Sequence, residues 1–434
     1  MNTNPSQDTS GVVVLGLGYV GCVSAACLAH LGNRVIGVDR DEHKVAAVNR
    51  GQAPFYEPGL EDLVAQGLST GRLSATTSLA EALPQAGLVF ICVGTPSDSN
   101  GNLDLSHVRR VCEEIARHRP TGKPLVLAVR STVFPGTCDD VVRPIVGEDV
   151  PLVCHPEFLR EGTAVRDFME PSLIVIGGSD PAAVERVADV YQALNFEICR
   201  VSLRTAEMIK YTCNAFHALK IGFANEIGTL SRSSGVDPAE VMATVCRDEK
   251  LNISTAYLKP GFAFGGSCLP KDLRALVYRA GRMDLELPLL ESILPSNREH
   301  LERCIQSALA FSGRIGIYGL AFKDNTDDIR ESPVVTLIEQ LIGKGREIRI
   351  FDPHIRLANV YGSNLTFVTK ALPHIGRLMV DSAEELLAWA EYVVLAQKPQ
   401  GSFAQHLQDS GRPALDLTTM RAATANQPQP VPSR

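Results

Sequence analysis

A cysteine ends a glycine-rich run, Gly261-Phe262-Ala263-Phe264-Gly265-Gly266-Ser267-Cys268, and Leu269-Pro270-Lys271-Asp272-Leu273-Arg274-Ala275-Leu276 then reads as the start of a helix. Proline is tolerated in a helix's first turn, where its missing N–H would have no partner anyway. The spacing therefore places Cys268 at a helix N-terminus. Orphan backbone N–H groups and the positive end of the helix dipole favour the thiolate there, and the thiolate is the nucleophile. The glycines admit backbone or substrate close to the sulfur. The same run also fits a turn before an ordinary helix, with Cys268 as a small buried apolar residue.

A second set of polar side chains precedes it. From Thr205 to about Leu230, Ala206, Ile209, Cys213, Phe216, Leu219 and Phe223 fall at roughly helical spacing and predict one long helix. Lys210, Asn214 and His217 recur at i, i+4, i+7 and share one side of it. A lysine and an asparagine in a largely apolar helix are costly without partners. They read as site machinery or, alternatively, as a lysine snorkelling to solvent. Further upstream, His155-Pro156-Glu157-Phe158-Leu159-Arg160-Glu161-Gly162 follows a predicted strand. Glu157 and Glu161 either share a helical face or are simply solvated. Thr95 and Thr132 stand at the carboxyl ends of two other strands, where open α/β sheets bind ligands. Capping of the next loop or helix is the alternative for both.

The elements that position these residues follow an α/β rhythm. Val12-Val13-Val14-Leu15 is a short strand, followed by Gly16-Leu17-Gly18-Tyr19-Val20-Gly21, an apolar helix from Cys22 to Leu31, and a strand from Arg34 to Val38 closed by Asp39. Strand, glycines, helix, strand and acid in this order are the dinucleotide fingerprint in full context. Gly16 makes the tight turn, Gly18 admits the pyrophosphate to the helix N-terminus, and Gly21 permits close helix–strand packing. Asp39 favours the ribose hydroxyls of NAD over the 2′-phosphate of NADP, although Arg40 stands beside it. Leu88–Val93, Leu125–Val129, Leu152–Cys154 and Ser172–Gly178 continue the strands. After Arg298 a second α/β pattern begins, with strands Arg314–Tyr318, Glu347–Phe351 and Tyr392–Leu395 and helices Val334–Ile342 and Ser382–Ala390. It lacks the glycine fingerprint, which suggests nucleotide binding without dinucleotide specificity. Lys323 and Arg330 are its cations for a pyrophosphate, or ordinary surface charge.

Composition narrows the classes. The chain has 434 residues, 45% hydrophobic and 21% charged, as expected of a globular protein of two or three domains. A net charge of −7 argues against general binding to nucleic acid or a membrane surface. The eleven cysteines are scattered without a CxxC pair, so neither a metal site nor a disulfide framework is expected, and a reducing cytoplasm is the natural setting. No signal peptide is expected from the polar stretch Met1–Ser10, and no apolar stretch is long enough to span a bilayer.

From Gly11 to about Leu417 the chain resembles the UDP-glucose/GDP-mannose dehydrogenase family. The resemblance rests on the fingerprint, Gly94-Thr95-Pro96, RSTVFPGT, HPEFLREG, AEMIKYTCNAFHALK, GFAFGGSCLPKD and GLAFKDNTDDIRESP, in that order. The cysteine run and FHALK…FANEIG are most similar to the members that act on GDP-mannose. The resemblance implies two Rossmann-like doubly wound parallel-sheet domains joined by a long helix and a small all-α central domain. It places an NAD-binding domain over 1–204, a central helical domain with the cysteine and a dimer interface over 205–298, and a sugar-nucleotide domain over 299–434. The tail from about 422 is expected to be disordered. A homodimer or larger homo-oligomer is implied.

The implied reaction is a four-electron oxidation of a nucleotide sugar at C6, from alcohol to carboxylate, consuming two NAD and one water. Cys268 matches the nucleophile, forming a thiohemiacetal and then a thioester. Lys210 matches the lysine that stabilises the oxyanion or takes up protons, and Asn214 its hydrogen-bonding companion at C6. Asp272 matches the carboxylate that tunes the cysteine or orients water. Glu157 and Glu161 match family glutamates, Glu161 with a part in thioester hydrolysis and sugar contacts. Thr132 matches a threonine that holds the catalytic water or contacts the cofactor. His217, Asn225, Tyr257, Leu258, Phe262, Gly265 and Lys323 fall at positions that hold the sugar nucleotide, and Lys259 stands where an arginine is usual. Lys271 and Arg330 fall at NAD contacts, as do Tyr19, Val20, Lys44 and Thr95. His155 replaces the usual asparagine or serine. Two rivals accompany this reading: the same chemistry on UDP-glucose or a UDP-N-acetyl-hexosamine, and a non-catalytic NAD-binding sensor that kept the fold.

Overall fold

The computed structural model describes residues 11–96, 98, 102–254, 256–258, 261–266, 268–322, 328–355, 366, 369–399, 401–419 and 421–422. Lys259, Lys323 and the tail beyond 422 lie outside the described residues. The chain divides into two compact units, Met1–Ala218 and Leu219–Arg434, and the division falls inside the helix Leu203–Ser233.

The first unit is built on eight strands: β1 (Gly11–Leu15), β2 (Val35–Val38), β3 (Leu73–Thr76), β4 (Ala86–Ile91), β5 (Val126–Val129), β6 (Leu152–Cys154), β7 (Ile174–Gly178) and β8 (Ile198–Val201). Their order is β3-β2-β1-β4-β5-β6-β7-β8. The inner strands β1, β2, β4 and β6 are apolar throughout and buried on both faces. Val12 and Val14 face one core, packed against the fingerprint helix Tyr19–His30, while Val13 and Leu15 face a second core with Val108, Cys112 and Ile115 of the helix Ser106–His118. The sheet is parallel from β3 to β6, but β7 pairs antiparallel with β6 and parallel with β8. The sheet is thus the expected doubly wound, predominantly parallel one, with a single antiparallel pair at β6–β7. The 155–173 link returns the chain from the carboxyl end of β6 without a crossover, so β7 must run back the other way.

In the second unit, β9 (Arg314–Tyr318), β10 (Glu347–Phe351), β11 (Tyr392–Leu395), β12 (Ala414–Asp416) and β13 (Arg421–Ala422) form a sheet of order β10-β9-β11-β12-β13. It is parallel except for the β12–β13 pair. The helix Pro288–Leu309 precedes it and runs through residue 298, with Pro295 inside it. Asp352, at the end of β10, is 4% exposed and accepts the N–H groups of Leu320 and Ala321 at 2.7 and 3.2 Å. It holds the turn after β9 much as Asp39 holds the turn after β1.

No disulfide joins any of the eleven cysteines, all of which are described. Burial pushes the thiols of Cys22, Cys27, Cys92 and Cys112 up to about 12, so these are inert core residues. Among the described residues no helix is long and apolar enough to cross a membrane, and no cluster of three or more His, Cys, Asp or Glu could hold a metal.

Candidate active site

The fingerprint of the first unit is shaped for a phosphate-bearing ligand. Gly16 has φ +93°, and a Cβ there would lie 2.9 Å from the Cys92 carbonyl oxygen. A Cβ at Gly21 would fall 1.7 Å from the Gly16 carbonyl oxygen, so only glycine lets the helix sit this close to β1. At Gly18 a Cβ would meet no protein atom within 4 Å; it would instead occupy the space in front of the helix N-terminus, where a pyrophosphate binds. A pocket of about 310 Å³ opens here, lined by Gly16, Gly18, Asp39, Lys44, Cys92 and Gly94 among others. Asp39 accepts the Leu17 and Asp41 N–H groups at 2.7 and 2.9 Å and pairs with Lys44 at 3.5 Å. These residues fit NAD: an open anion cradle, an adenosine-sized pocket and a carboxylate for ribose hydroxyls. Val20 is half-buried at the start of the helix, and the Tyr19 hydroxyl donates to Glu57. Burial and the Glu57 hydrogen bond push the Tyr19 phenol up to about 12.

Glu157 and Glu161 do not share a helical face. Residues 155–160 are irregular, and the helix begins only at Ala164. Glu157 turns back on its own chain to accept the Leu159 N–H at 2.7 Å. Its other oxygen lies 2.9 Å from the Lys210 ammonium, with side chains 11% and 9% exposed. Lys210 also lies over the Phe158 ring, 5.5 Å from its centroid. The partner that a buried lysine requires is therefore Glu157, and the snorkelling alternative does not hold. Asn214 and His217 share the side of Lys210 but are exposed, because the first unit covers the long helix only in its opening turns. Glu161 is exposed on the loop beyond Arg160, which is clamped to Asp167 at 2.7 and 3.0 Å.

Two threonines and a buried acid complete this unit. The Thr95 hydroxyl donates to the Thr132 carbonyl at 2.8 Å, which brings together the ends of β4 and β5. The segment after Thr132 is pinned by Glu207, fully buried, whose carboxylate accepts the Gly136 and Cys138 N–H groups at 2.6 and 2.8 Å. No local spacing marks Glu207 in the sequence, because its partners lie about seventy positions away. His155 is 2% exposed; its Nδ1–H donates to the Val175 carbonyl and its Nε2 accepts the Tyr191 hydroxyl, at 2.7 Å each. Burial, then the Arg130 charge, lowers its pKa to about 3. The unfolded chain protonates this imidazole below about pH 6.5, and the folded protein does not. Stability should therefore fall as pH drops below 6.5, by about 1.4 kcal/mol per unit from this group, or about 2 kcal/mol at pH 5. Urea unfolding of the wild type and His155→Asn between pH 7.5 and 5 checks this, and the variant should lack that share of the slope.

In the second unit, Cys268 is the exposed N-cap of the helix Leu269–Gly281, with proline in its first turn. The small-core alternative for this cysteine does not apply. The Asp272 N–H donates to the Cys268 carbonyl at 2.9 Å, and the Asp272 carboxylate pairs with Lys271 at 3.1 Å in solvent. Asn297 holds both backbone groups of Phe264, at 2.8 and 3.0 Å, and His300 meets the Gly261 carbonyl at 2.8 Å. A Cβ at Gly265 would fall 2.3 Å from the Glu331 carbonyl oxygen, so this glycine serves a backbone approach. Glu331, at φ +49°, is clamped by Arg274 at 2.6 and 3.0 Å. Arg330 pairs with Asp328 at 2.7 Å and lies within electrostatic reach of Cys268. The cysteine run and the segment around Arg330 thus form one constellation. A cleft of about 670 Å³ beside it is lined by Phe264, Arg274, Asn297, Arg298 and Glu331 among others. Phe262 packs against the core of the second sheet, whereas Asn225, Tyr257 and Leu258 are exposed.

Three family models cover the chain in order: the NAD binding domain of the UDP-glucose/GDP-mannose dehydrogenase family over residues 10–195, its central domain over 204–299 and its UDP binding domain over 316–405. A GDP-mannose 6-dehydrogenase of Pseudomonas aeruginosa is 46% identical over 394 residues, 88% of this chain and 90% of that protein. The crystal structure of a ternary complex of GDP-mannose dehydrogenase from the same species matches with a TM-score of 0.90 at 44% identity, covering 94% of this chain and 96% of that one. A UDP-glucose dehydrogenase from Pyrobaculum islandicum matches with a TM-score of 0.56 at 34% identity over 98% of this chain and 97% of that one. With the dinucleotide cradle, the buried lysine and the helix-capping cysteine all in place, the chain belongs to the UDP-glucose/GDP-mannose dehydrogenase family of NAD-dependent nucleotide-sugar oxidoreductases.

Proposed function

We propose that the protein oxidises GDP-mannose at C6 to GDP-mannuronate through a thioester on Cys268. The observation that carries the choice of substrate is the likeness in sequence and fold to GDP-mannose dehydrogenases, at 42–46% identity over 88–96% of the chain, against 36–40% over 79% of the chain for two UDP-glucose 6-dehydrogenases and 34% for a third. Bound NAD supplies the hydride acceptor for each of two oxidations. In the first, the C6 alcohol loses a hydride and a proton to give an aldehyde. The Cys268 thiolate adds to that carbonyl, forming a C–S bond, and Lys210 stabilises the oxyanion. The second oxidation takes a hydride from the tetrahedral thiohemiacetal carbon and yields the thioester. Water then adds, the C–S bond breaks, and the carboxylate leaves with Cys268 regenerated. Glu161 serves this last step and Asn214 holds the C6 oxygen. A covalent tether keeps the reactive aldehyde from escaping between oxidations.

Domains over 1–204, 205–298 and 299–434 suit this division of labour, and the three family models support it. A homodimer is supported by exposed apolar side chains on the second unit, among them Leu219, Ile221, Phe223, Val236 and Ile253. Eleven cysteines without a disulfide suit a reducing cytoplasm. The substrate is tested by supplying NAD with GDP-mannose, UDP-glucose or a UDP-N-acetyl-hexosamine in turn. NADH formation with GDP-mannose at more than about ten times the rate of either UDP-sugar is the expected outcome, since a site built to bind one base rejects another strongly. Turnover of UDP-glucose without GDP-mannose overturns the assignment.

A further inference from the structure

We propose that Glu57 is a positioning residue that locks the loop carrying Glu161 to the first turn of the dinucleotide fingerprint. Glu57 is 4% exposed and lies far in sequence from everything it holds. One carboxylate oxygen accepts the Tyr19 phenol and the Gly162 N–H, the latter at 2.8 Å. The other accepts the Ala164 N–H at 2.7 Å. The Gly162 N–H also reaches the Tyr19 hydroxyl oxygen at 2.9 Å, so phenol, carboxylate and loop close a ring of hydrogen bonds. Tyr19 is the first residue of the fingerprint helix, and its ring is stacked on Phe55, 5.2 Å away. Gly162, at φ +85°, follows Glu161 directly.

The chemistry requires a carboxylate here. Three donors converge on Glu57, and a glutamine of the same shape would aim an N–H₂ group at one of them. Charge-assisted bonds of this kind are also roughly twice as strong as neutral ones. Arg160 and Asp167 brace the same loop from the other side, which leaves Glu161 exposed at its tip with both flanks fixed. The clasp thereby sets where Glu161 stands relative to the helix that receives the cofactor phosphates. Both Glu57 oxygens are engaged by Tyr19, Gly162 and Ala164, so Glu57 acts through Glu161.

This inference rests on the proposed role of Glu161 in thioester hydrolysis, and a double-mutant cycle separates the two. Hydrolysis of the covalent intermediate is measured by single-turnover quench for the wild type, Glu57→Gln, Glu161→Gln and the double variant, with NAD affinity measured in parallel. Glu57→Gln is expected to slow hydrolysis by about tenfold to a hundredfold, the scale of a misplacement near 1 Å, with NAD affinity changed much less. The double variant should be no slower than Glu161→Gln alone. Hydrolysis in Glu57→Gln within twofold of wild type, or multiplicative losses in the double variant, overturns the role of Glu57. Wild-type hydrolysis in Glu161→Gln instead overturns the reading of Glu161. Should Glu57→Gln fail to fold, Tyr19→Phe takes its place in the cycle. It removes only the phenol's bonds and is expected to give a smaller loss in the same step, with the same non-additivity; full additivity there counts against the proposal.

Discussion

Replacing Cys268 with serine is expected to cut carboxylate formation by about 10⁴-fold or more while NAD affinity stays within about twofold. The two effects separate because the dinucleotide cradle is made by Gly16, Gly18 and Asp39 of the first unit, and Cys268 caps a helix of the second. A serine hydroxyl can occupy the N-cap as well as a thiol does, so the variant should fold normally. What it lacks is the sulfur nucleophile that carries the sugar as a thioester. Mass spectrometry of the sugar product, with calorimetric titration of NAD, checks both halves. Near-normal acid production by the serine variant removes the covalent step from the mechanism.

The second large effect belongs to Lys210→Met. Methionine matches the length of the lysine stem and leaves Glu157 as a mostly buried carboxylate without its ion partner. Removing one member of such a pair typically costs about 3–5 kcal/mol, because the other charge stays desolvated. Loss of the cation should also lower kcat by about 10²–10³-fold, the scale seen when a single oxyanion donor is removed. The two consequences come apart in Lys210→Met/Glu157→Gln, which removes the stranded charge. Urea unfolding should show most of the stability restored, and NADH release should stay as slow as in the single variant. If the double variant regains turnover as well, Lys210 serves the fold alone.

Much of the molecule is written in its local sequence. The runs 152–154, 314–318, 347–351 and 392–395 are read directly as strands, because short apolar segments between turn residues have no other use in an α/β chain. The position of Cys268 is equally legible, since Pro270 fixes where its helix starts. Long-range polar contacts are not legible. Glu57 and Glu207 each satisfy backbone N–H groups some seventy to a hundred positions away, and no local spacing marks them out. Glu157 and Glu161 have helical spacing, yet Glu157 caps its own turn and the segment stays irregular. The spacing of Lys210, Asn214 and His217 puts them on one side of a helix, but only Lys210 is covered. The helix Pro288–Leu309 runs through Pro295, a residue that usually breaks or kinks a helix.

The most direct measurement is the amount of NADH formed per molecule of GDP-mannose consumed when the reaction runs to completion with excess NAD. A cysteine-tethered oxidation from alcohol to carboxylate predicts two NADH per sugar, with GDP-mannuronate as the sole sugar-nucleotide product. One NADH per sugar with an aldehyde released, or no net NADH, contradicts it.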